Sequence, residues 1–375
     1  MNFKSPDTHI LKTKQHFEIL DGLRGVAALA VVIFHFMEWI QPDFSKNFIG
    51  HGYMAVDFFF CLSGFVIAYA YDDRVRNMGI LKFLQARIIR LHPLVVLGAV
   101  LGLLGFLFDP FVVRAEGHNL GKILLSFLSA AFLIPYPAME ERAFNLFSFN
   151  APAWSLFWEY VANIFYVLVL YKISRRYLGI LTVLSAIVLG FVAFRAGNLV
   201  GGWSGPTFWD GCARISYSFL VGMLIFRFNW IIKNRLGFAG LALLLSLAFV
   251  MPQFKWNWLA EFLVVSVYFP LLISLGAGAT LSGGFKKLCV FSGKISYPLY
   301  MTHYAAIWIF GNYFINHKPA GAELPIIVIG GTLVLIAIAY AAMVFYDEPV
   351  RNYLKNRFLT KRRSSVSVVE PVEQG

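Results

Sequence analysis

Residues 20–40 read LDGLRGVAALAVVIFHFMEWI, an apolar block that carries Arg24 near its start and His35 and Glu38 near its end. A run of about 20 mainly apolar residues is long enough to cross a bilayer as an α-helix. An ionisable side chain inside such a run is costly, so each one is a candidate functional residue. The block therefore predicts a transmembrane helix with functional polar groups towards both ends.

The rest of the chain repeats this pattern. Of its 375 residues, 59% are hydrophobic and only 14% are charged, whereas a soluble domain carries about 25% charged residues. This composition argues against a cytosolic globular enzyme. The apolar blocks are separated by short, mostly basic loops and cover residues 22–40, 53–71, 93–108, 121–136, 153–171, 178–194, 211–227, 236–252, 258–276, 294–312 and 324–345.

The positions of the basic residues predict which blocks cross the membrane, because Lys and Arg accumulate in cytoplasmic loops. The block 121–136 is short and ends on Pro135 and Pro137. If it does not span, ten helices cross, and 23 Lys and Arg lie on one side against 7 on the other, with Arg24 and Arg214 inside spans. We therefore predict an all-α polytopic membrane protein: about ten transmembrane helices plus one short non-spanning or re-entrant segment, with both termini in the cytoplasm.

One membrane domain accounts for most of the chain. We predict a cytoplasmic tail over residues 1–21, the membrane domain over 22–346, and a basic, then polar tail over 347–375 that we expect to be disordered. The polar tail before the first block is too long for a short signal-peptide n-region. The net charge of +12 could indicate nucleic-acid binding, but membrane orientation explains it better, so no nucleic-acid partner is expected.

Three ionisable residues in different blocks fall at similar depth, in the half of the bilayer predicted to be outer: His35, Asp57 and Glu159. A carboxylate beside an imidazole orients the ring and raises its basicity, which a general base requires. Trp154 and Trp158 come just before Glu159, and their spacing is typical of an aromatic belt at the interface.

Three arginines mark the predicted cytoplasmic side. Arg87 and Arg90 share one helix face before the third block, and Arg24 lies at the same level in the first. Guanidinium groups bind phosphate through paired hydrogen bonds, so a phosphorylated ligand entering from the cytoplasm would fit. The alternative is that these arginines only extend towards lipid phosphates.

Two further polar sites permit a structural or a functional interpretation. The pair Ser63-Gly64 lies deep in the second block, where small residues permit close helix packing or contribute to chemistry. His303 lies towards the bilayer middle, where it forms either a helix–helix hydrogen bond or part of the reactive cluster. The three cysteines show no metal spacing, so we expect core residues and no metal site.

At these residues the chain resembles the acyltransferase-3 family, integral-membrane O-acyltransferases of the O-antigen acetylase type. The resemblance extends from Leu20 to about Arg351 and rests on five motifs in order: Leu20 to Gly25 with His35; Val56-Asp57-Phe58-Phe59-Phe60 with Ser63-Gly64-Phe65; Arg87 to Pro93; Trp154-Ser155-Leu156 with Glu159; and Ile295 to Tyr300 with His303.

The resemblance implies transfer of an acyl group, most often acetyl, from cytoplasmic acyl-coenzyme A to a hydroxyl of a glycan or lipid-linked sugar beyond the inner membrane. Arg24, Arg87 and Arg90 would bind the donor, and His35 would act as general base or transient acyl carrier, oriented by Asp57 or Glu159. We favour direct transfer, because no Cys or Ser is spaced to lie beside His35. The motif residues expected to support this site are Ser63, Trp154, Ser155, Tyr300 and His303.

Two alternatives remain at this point. The acceptor could be a lipid or a small secreted metabolite instead of a glycan. Buried His, Asp and Glu side chains also form the proton relays of coupled transporters. The cytoplasmic arginines favour the acyltransferase, because a sugar or ion pathway does not need them. The sequence does not identify protein partners.

Overall fold

The chain forms fifteen α-helices within residues 16–112 and 119–359, the part that the computed structural model describes. The helices are α1 (Glu18–Ile40), α2 (Ala55–Tyr71), α3 (Val75–Met78), α4 (Ile80–Leu107), α5 (Leu120–Phe132), α6 (Ala153–Phe165), α7 (Arg175–Ala196), α8 (Phe208–Arg227), α9 (Gly237–Phe249), α10 (Asn257–Leu263), α11 (Phe269–Gly278), α12 (Gly283–Thr302), α13 (Tyr304–His317), α14 (Leu324–Ala342) and α15 (Glu348–Phe358).

Short π-helical turns lengthen three helical rods. One extends α6 through Tyr166–Leu170, and the other two connect α10 to α11 and α14 to α15. Each of the eleven apolar blocks falls on a helix, which confirms the prediction of an all-α fold. Within the described residues, seven rods are long and apolar enough to span a membrane: Glu18–Ile40, Gly52–Tyr71, Ile80–Leu107, Ala153–Leu170, Arg175–Ala196, Asn257–Gly278 and Leu324–Phe358.

The protein is thus a multi-pass membrane protein, and its seven long apolar rods are fewer than the ten predicted crossings. Both α5 and α9 have only thirteen residues, about 20 Å of helix against a hydrocarbon core of about 30 Å. The short α5 matches the block expected not to span. Since α9 is equally short, length does not distinguish the two, and the figure of ten crossings stays a prediction.

The first helix lies between two apolar cores. Leu23 and Ala27 of α1 belong to the larger core, and Val32 and Phe36 belong to a smaller one that includes residues of α12, α13 and α14. A helix covered on both sides carries its polar groups into the protein instead of into lipid. This arrangement places Arg24 and His35 inside the bundle.

Close helix packing explains Gly64. It lies against the backbone carbonyl of Phe219 on α8, and Gly222 of α8 lies against the carbonyl of Cys61 on α2. A side chain at either glycine would collide with the facing backbone. Gly64 therefore has the packing role that its sequence context permits, while the neighbouring Ser63 points to a cavity described below.

Two boundaries differ from the predicted ones. The single span expected over 294–312 is interrupted at His303, where α12 ends and α13 begins. The tail expected to be disordered from residue 347 instead continues as α15 to Phe358, because this helix packs beside α4 and Arg351 pairs with Asp347 at 2.8 Å. Residues 1–15 and 360–375, which contain most of both predicted tails, lie outside the described residues.

Candidate functional site

Two internal cavities contain most of the residues singled out in the sequence. We call them the arginine cavity, which Arg24, Arg87 and Arg90 line, and the histidine cavity, which His35 lines. Their volumes are about 360 Å³ and about 170 Å³. Both receive a side chain from α1, because eleven residues separate Arg24 from His35 and this spacing is about 16 Å along a helix.

The three arginines of the arginine cavity differ in how they are held. Arg24 donates hydrogen bonds to Asp21 at 3.2 Å, to the carbonyl of Gly293 at 3.2 Å and to Ser296 at 3.1 Å. These contacts join α1 to α12 and fix the guanidinium at the cavity wall. Arg90 is exposed and forms no ion pair or hydrogen bond of its side chain with the described residues, so it is free to bind a ligand.

Glu159 lies at the arginine cavity. Its Oε1 accepts hydrogen bonds from Arg87 at 2.8 Å and from Ser63 at 3.0 Å. The prediction that Glu159 orients His35 requires a contact between the two side chains, and the structure does not show one. The Glu159 carboxylate neutralises Arg87 instead. The depth of a residue along its own helix follows from the sequence, whereas the direction in which its side chain faces depends on how the helices pack.

The histidine cavity brings His35 together with Glu38. Nδ1 of His35 lies 2.5 Å from Oε2 of Glu38, and the two side chains are 20% and 36% exposed. If Nδ1 carries the proton, Nε2 has a free lone pair that can accept a proton from a hydroxyl. The imidazole faces a cavity and not lipid, and this geometry suits a general base.

The imidazole of His303 packs against the imidazole of His35. The two imidazoles stack with centroids 5.4 Å apart, and His303 is fully buried, with Nδ1 3.0 Å from the carbonyl of Leu299. It lines neither cavity. The helix–helix hydrogen bond considered for His303 is not formed among the described residues, because its Nδ1 contact lies within one helix and its Nε2 has no hydrogen-bond partner there.

Asp57 is paired with Arg214 and not with His35. The two guanidinium nitrogens lie 3.1 and 2.6 Å from the carboxylate oxygens, and both side chains are almost completely buried. Arg214 also donates to the carbonyls of Tyr53 and Gly201, at 3.2 and 2.7 Å. The prediction that Asp57 orients His35 is therefore corrected: Asp57 neutralises a buried cation that holds α2, α8 and the loop before α8 together.

The two tryptophans of the fourth motif are buried, with exposures of 6% for Trp154 and 4% for Trp158. Neither forms the interfacial belt expected from the sequence. Trp154 lines the histidine cavity, and the guanidinium of Arg214 lies 5.1 Å from the centroid of one of its rings. An aromatic belt would need contact with lipid head groups, which burial prevents.

Val56 and Tyr300 line both cavities and form the wall that they share. The hydroxyl of Tyr300 lies 2.8 Å from that of Ser155, which lines the arginine cavity. A group reaching past Val56 and Tyr300 from the arginine cavity would therefore enter the space beside His35.

Sequence reasoning missed several residues at these cavities. Arg142, from the connection between α5 and α6, lines the histidine cavity, whereas Lys294, Asp347 and Arg351 line the arginine cavity. Arg142 lies in a segment taken as a loop, Asp347 and Arg351 lie in the predicted tail, and Lys294 is the first residue of a predicted span. The signal for Glu38 was visible, since it falls three residues after His35 on the same helix face. Within the described ranges, no group of three or more His, Cys, Asp or Glu side chains could hold a metal ion.

Comparison with known proteins assigns the chain to a family. A family model described as an acyltransferase domain matches residues 17–344. The chain belongs to the acyltransferase-3 family. The match confirms the resemblance seen in the sequence, and it covers Arg24, His35, Asp57, Arg87, Arg90 and Glu159.

Two relatives of this acyltransferase come from Rhizobium radiobacter and Staphylococcus aureus. Protein 2 in the picA locus of Rhizobium radiobacter is 33% identical over 185 residues, which are 47% of this chain and 93% of the relative. The O-acetyltransferase OatA of Staphylococcus aureus is 23% identical over 92% of this chain, and the matched part is 59% of OatA. The acyltransferase thus spans about three fifths of that relative's length. No solved structure matches the chain.

Proposed function

We propose that the protein transfers an acyl group, most simply acetyl, from acyl-coenzyme A in the arginine cavity to a hydroxyl of a glycan or lipid-linked sugar in the histidine cavity. The observation that carries this proposal is the shared wall of the two cavities, where Val56 and Tyr300 lie between the arginines and His35. The name of the O-acetyltransferase relative supports acetyl as the group transferred.

The donor would bind through its phosphates. Coenzyme A carries several phosphate oxygens, and Arg90 is a cation in the arginine cavity without a bound partner among the described residues. Arg24 and Arg87 add charge from fixed positions, since each is held by hydrogen bonds to neighbouring side chains. Paired hydrogen bonds from guanidinium to phosphate are strong and directional. The pantetheine arm would then extend towards Val56 and Tyr300.

The chemical step is direct transfer at the thioester. The acceptor oxygen attacks the acyl carbonyl carbon while its proton passes to Nε2 of His35, and the carbon–sulfur bond then breaks. The imidazolium returns the proton to the departing thiolate, so the products are an ester and free coenzyme A. Glu38, bound to the opposite ring nitrogen, stabilises the imidazolium and holds the ring.

Direct transfer is supported by the surroundings of His35. Among the described residues, no Cys or Ser side chain is hydrogen-bonded to its ring, so none is placed to receive the acyl group from an activated donor. Asp57 and Glu159 then act as positioning residues. They neutralise Arg214 and Arg87 and so keep the walls of the two cavities in place.

The charge distribution supports an orientation in the inner membrane. With 23 Lys and Arg expected on the side of Arg24 and 7 on the side of His35, the arginine cavity would open to the cytoplasm, where acyl-coenzyme A is made. Both termini would then be cytoplasmic. The acceptor would be modified on the outer side, at the cell envelope.

The test is acyl transfer by purified protein in lipid nanodiscs with radiolabelled acetyl-coenzyme A and glycans released from the producing cell. We expect free thiol and acetylated glycan in equal amounts with wild type and neither with His35→Ala, which should still insert and bind donor. Acetylated lipid or metabolite in place of acetylated glycan would show that the acceptor is not a glycan. Full transfer by His35→Ala would contradict the proposal.

A further inference from the structure

Arg142 provides the histidine cavity with a charge that neither motif nor family match singled out. It ends the short helical turn Glu140–Arg142 in the connection between α5 and α6, and its side chain is buried, with 7% exposure. Its guanidinium carbon lies 4.0 Å from the centroid of a ring of Trp308, which lines the same cavity. Stacking of this kind fixes the plane of the guanidinium.

This cation lacks a counter-ion. Across residues 16–112 and 119–359, no carboxylate lies within 4.0 Å of the Arg142 guanidinium, and its side chain donates no hydrogen bond to protein. Burial lowers the pKa of the group to about 10, which leaves it protonated at neutral pH. Burying a charge without a partner is unfavourable, and a bound anion would remove that cost.

The other charged side chains of the cavity are already engaged. Arg214 is paired with Asp57, and Glu38 contacts His35. Only Arg142, among the described lining residues, presents a charge without an oppositely charged partner to a ligand in this space. Its planar fork of donors matches a carboxylate or a phosphate better than a neutral hydroxyl.

We propose that the acceptor is an anionic sugar, and that Arg142 binds its carboxylate or phosphate while His35 activates a hydroxyl of the same molecule. This inference rests on the proposed function, because it assigns the histidine cavity to the acceptor. The rings of Trp203, Tyr304 and Trp308 line the cavity and offer broad apolar faces to a sugar ring. Arg142 thereby becomes a determinant of acceptor specificity.

The experiment measures binding and transfer separately, with protein in nanodiscs. Methyl glucuronide, the 6-phosphate of methyl glucoside and neutral methyl glucoside are the three probes, and the two charged ones distinguish a carboxylate from a phosphate as the recognised group. Binding is measured by calorimetry without donor, and transfer by mass analysis of the probe with acetyl-coenzyme A. The variants are Arg142→Gln, Arg142→Lys and, as a control at the same end of the bundle, the exposed Lys46→Gln.

We expect wild type and Lys46→Gln to bind at least one charged probe roughly 10- to 100-fold more tightly than the neutral probe. Arg142→Gln should lose this preference, and Arg142→Lys should keep part of it. Absence of binding by both charged probes, equal binding of charged and neutral probes, or a preference that survives in Arg142→Gln would overturn the inference. A charge preference in binding without acetylation of any probe would instead count against the proposed function alone.

Discussion

Nδ1 of His35 lies 2.5 Å from Oε2 of Glu38, three residues further along the same helix. This contact fixes one ring nitrogen and leaves the other ring nitrogen free. The ring lines the histidine cavity, which shares a wall with the arginine cavity. A carboxylate in this place stabilises the charged imidazole that forms when the ring accepts a proton. The pair thus has the geometry of a base and the group that orients it.

Replacing Glu38 by Gln should lower kcat by roughly 10- to 1000-fold, because general-base catalysis contributes about 10²–10⁴-fold and depends on ring orientation and basicity. The KM for acetyl-coenzyme A should hardly change. Steady-state kinetics in nanodiscs measure both quantities. The exposed Glu323→Gln is the matched control. An unchanged kcat in Glu38→Gln would remove Glu38 from the mechanism.

Arg90, a cation of the arginine cavity without a side-chain partner among the described residues, gives a second prediction. Arg90→Ala should raise the KM for acetyl-coenzyme A by roughly 10- to 100-fold, the effect of one charge-assisted hydrogen bond, with a much smaller change in kcat. Arg76→Ala, an exposed arginine outside the cavity, should have no effect. If Arg90→Ala keeps the wild-type KM, its guanidinium serves lipid phosphates and not the donor.

Arg87→Ala should behave differently from Arg90→Ala, because Arg87 pairs with Glu159. Its loss leaves a partly buried carboxylate without its cation, so the thermal unfolding temperature should fall as well as donor affinity. Removing the carboxylate too, in Arg87→Ala/Glu159→Gln, should restore part of the stability but not the affinity. Unfolding monitored in detergent, beside donor binding, separates the two effects.

The buried pair of Asp57 and Arg214 predicts a loss of stability. Asp57→Asn leaves the guanidinium uncompensated, and breaking a buried pair costs about 3–5 kcal/mol in free energy of unfolding. The exposed Asp43→Asn should cost far less. Chemical denaturation in detergent is the measurement. If Asp57→Asn changes the free energy of unfolding little but lowers kcat strongly, Asp57 takes part in the chemical step.

The shared wall predicts that side-chain size at Tyr300 controls passage. Tyr300→Phe removes only the hydroxyl that contacts Ser155 and should keep most of the activity. Tyr300→Trp adds bulk between the cavities and should reduce transfer by roughly 100-fold, since small misplacements of reacting groups have effects of that size. Donor affinity should remain in both variants. Equal activity in Phe and Trp variants would show that the acyl group takes another route.

The sequence was sufficient for features that depend on one helix at a time. The apolar blocks predicted where the helices lie, and the spacing of Arg24 and His35 predicted that their side chains lie at different depths along α1. The contact of His35 with Glu38 is likewise local, three residues apart. Such features follow from helical geometry and the cost of charge in hydrocarbon.

Contacts between helices were not predictable in the same way. Asp57 and Arg214 are 157 residues apart, and Arg87 and Glu159 are 72 apart, so their pairing depends on how each helix rotates and packs. Trp154 was placed at an interface by its position near a helix start, yet packing buries it. Arg142 carried no signal, because it lies in a connection whose fold is set by tertiary contacts.

The most direct test of the central claim is the sidedness of transfer. Sealed proteoliposomes are loaded with radiolabelled acetyl-coenzyme A, and the acceptor glycan is supplied only outside. We predict that wild type labels the external glycan and releases free coenzyme A inside, and that His35→Ala does neither. Labelled glycan formed only when donor and acceptor share one compartment would contradict a reaction in which the two cavities meet at Val56 and Tyr300.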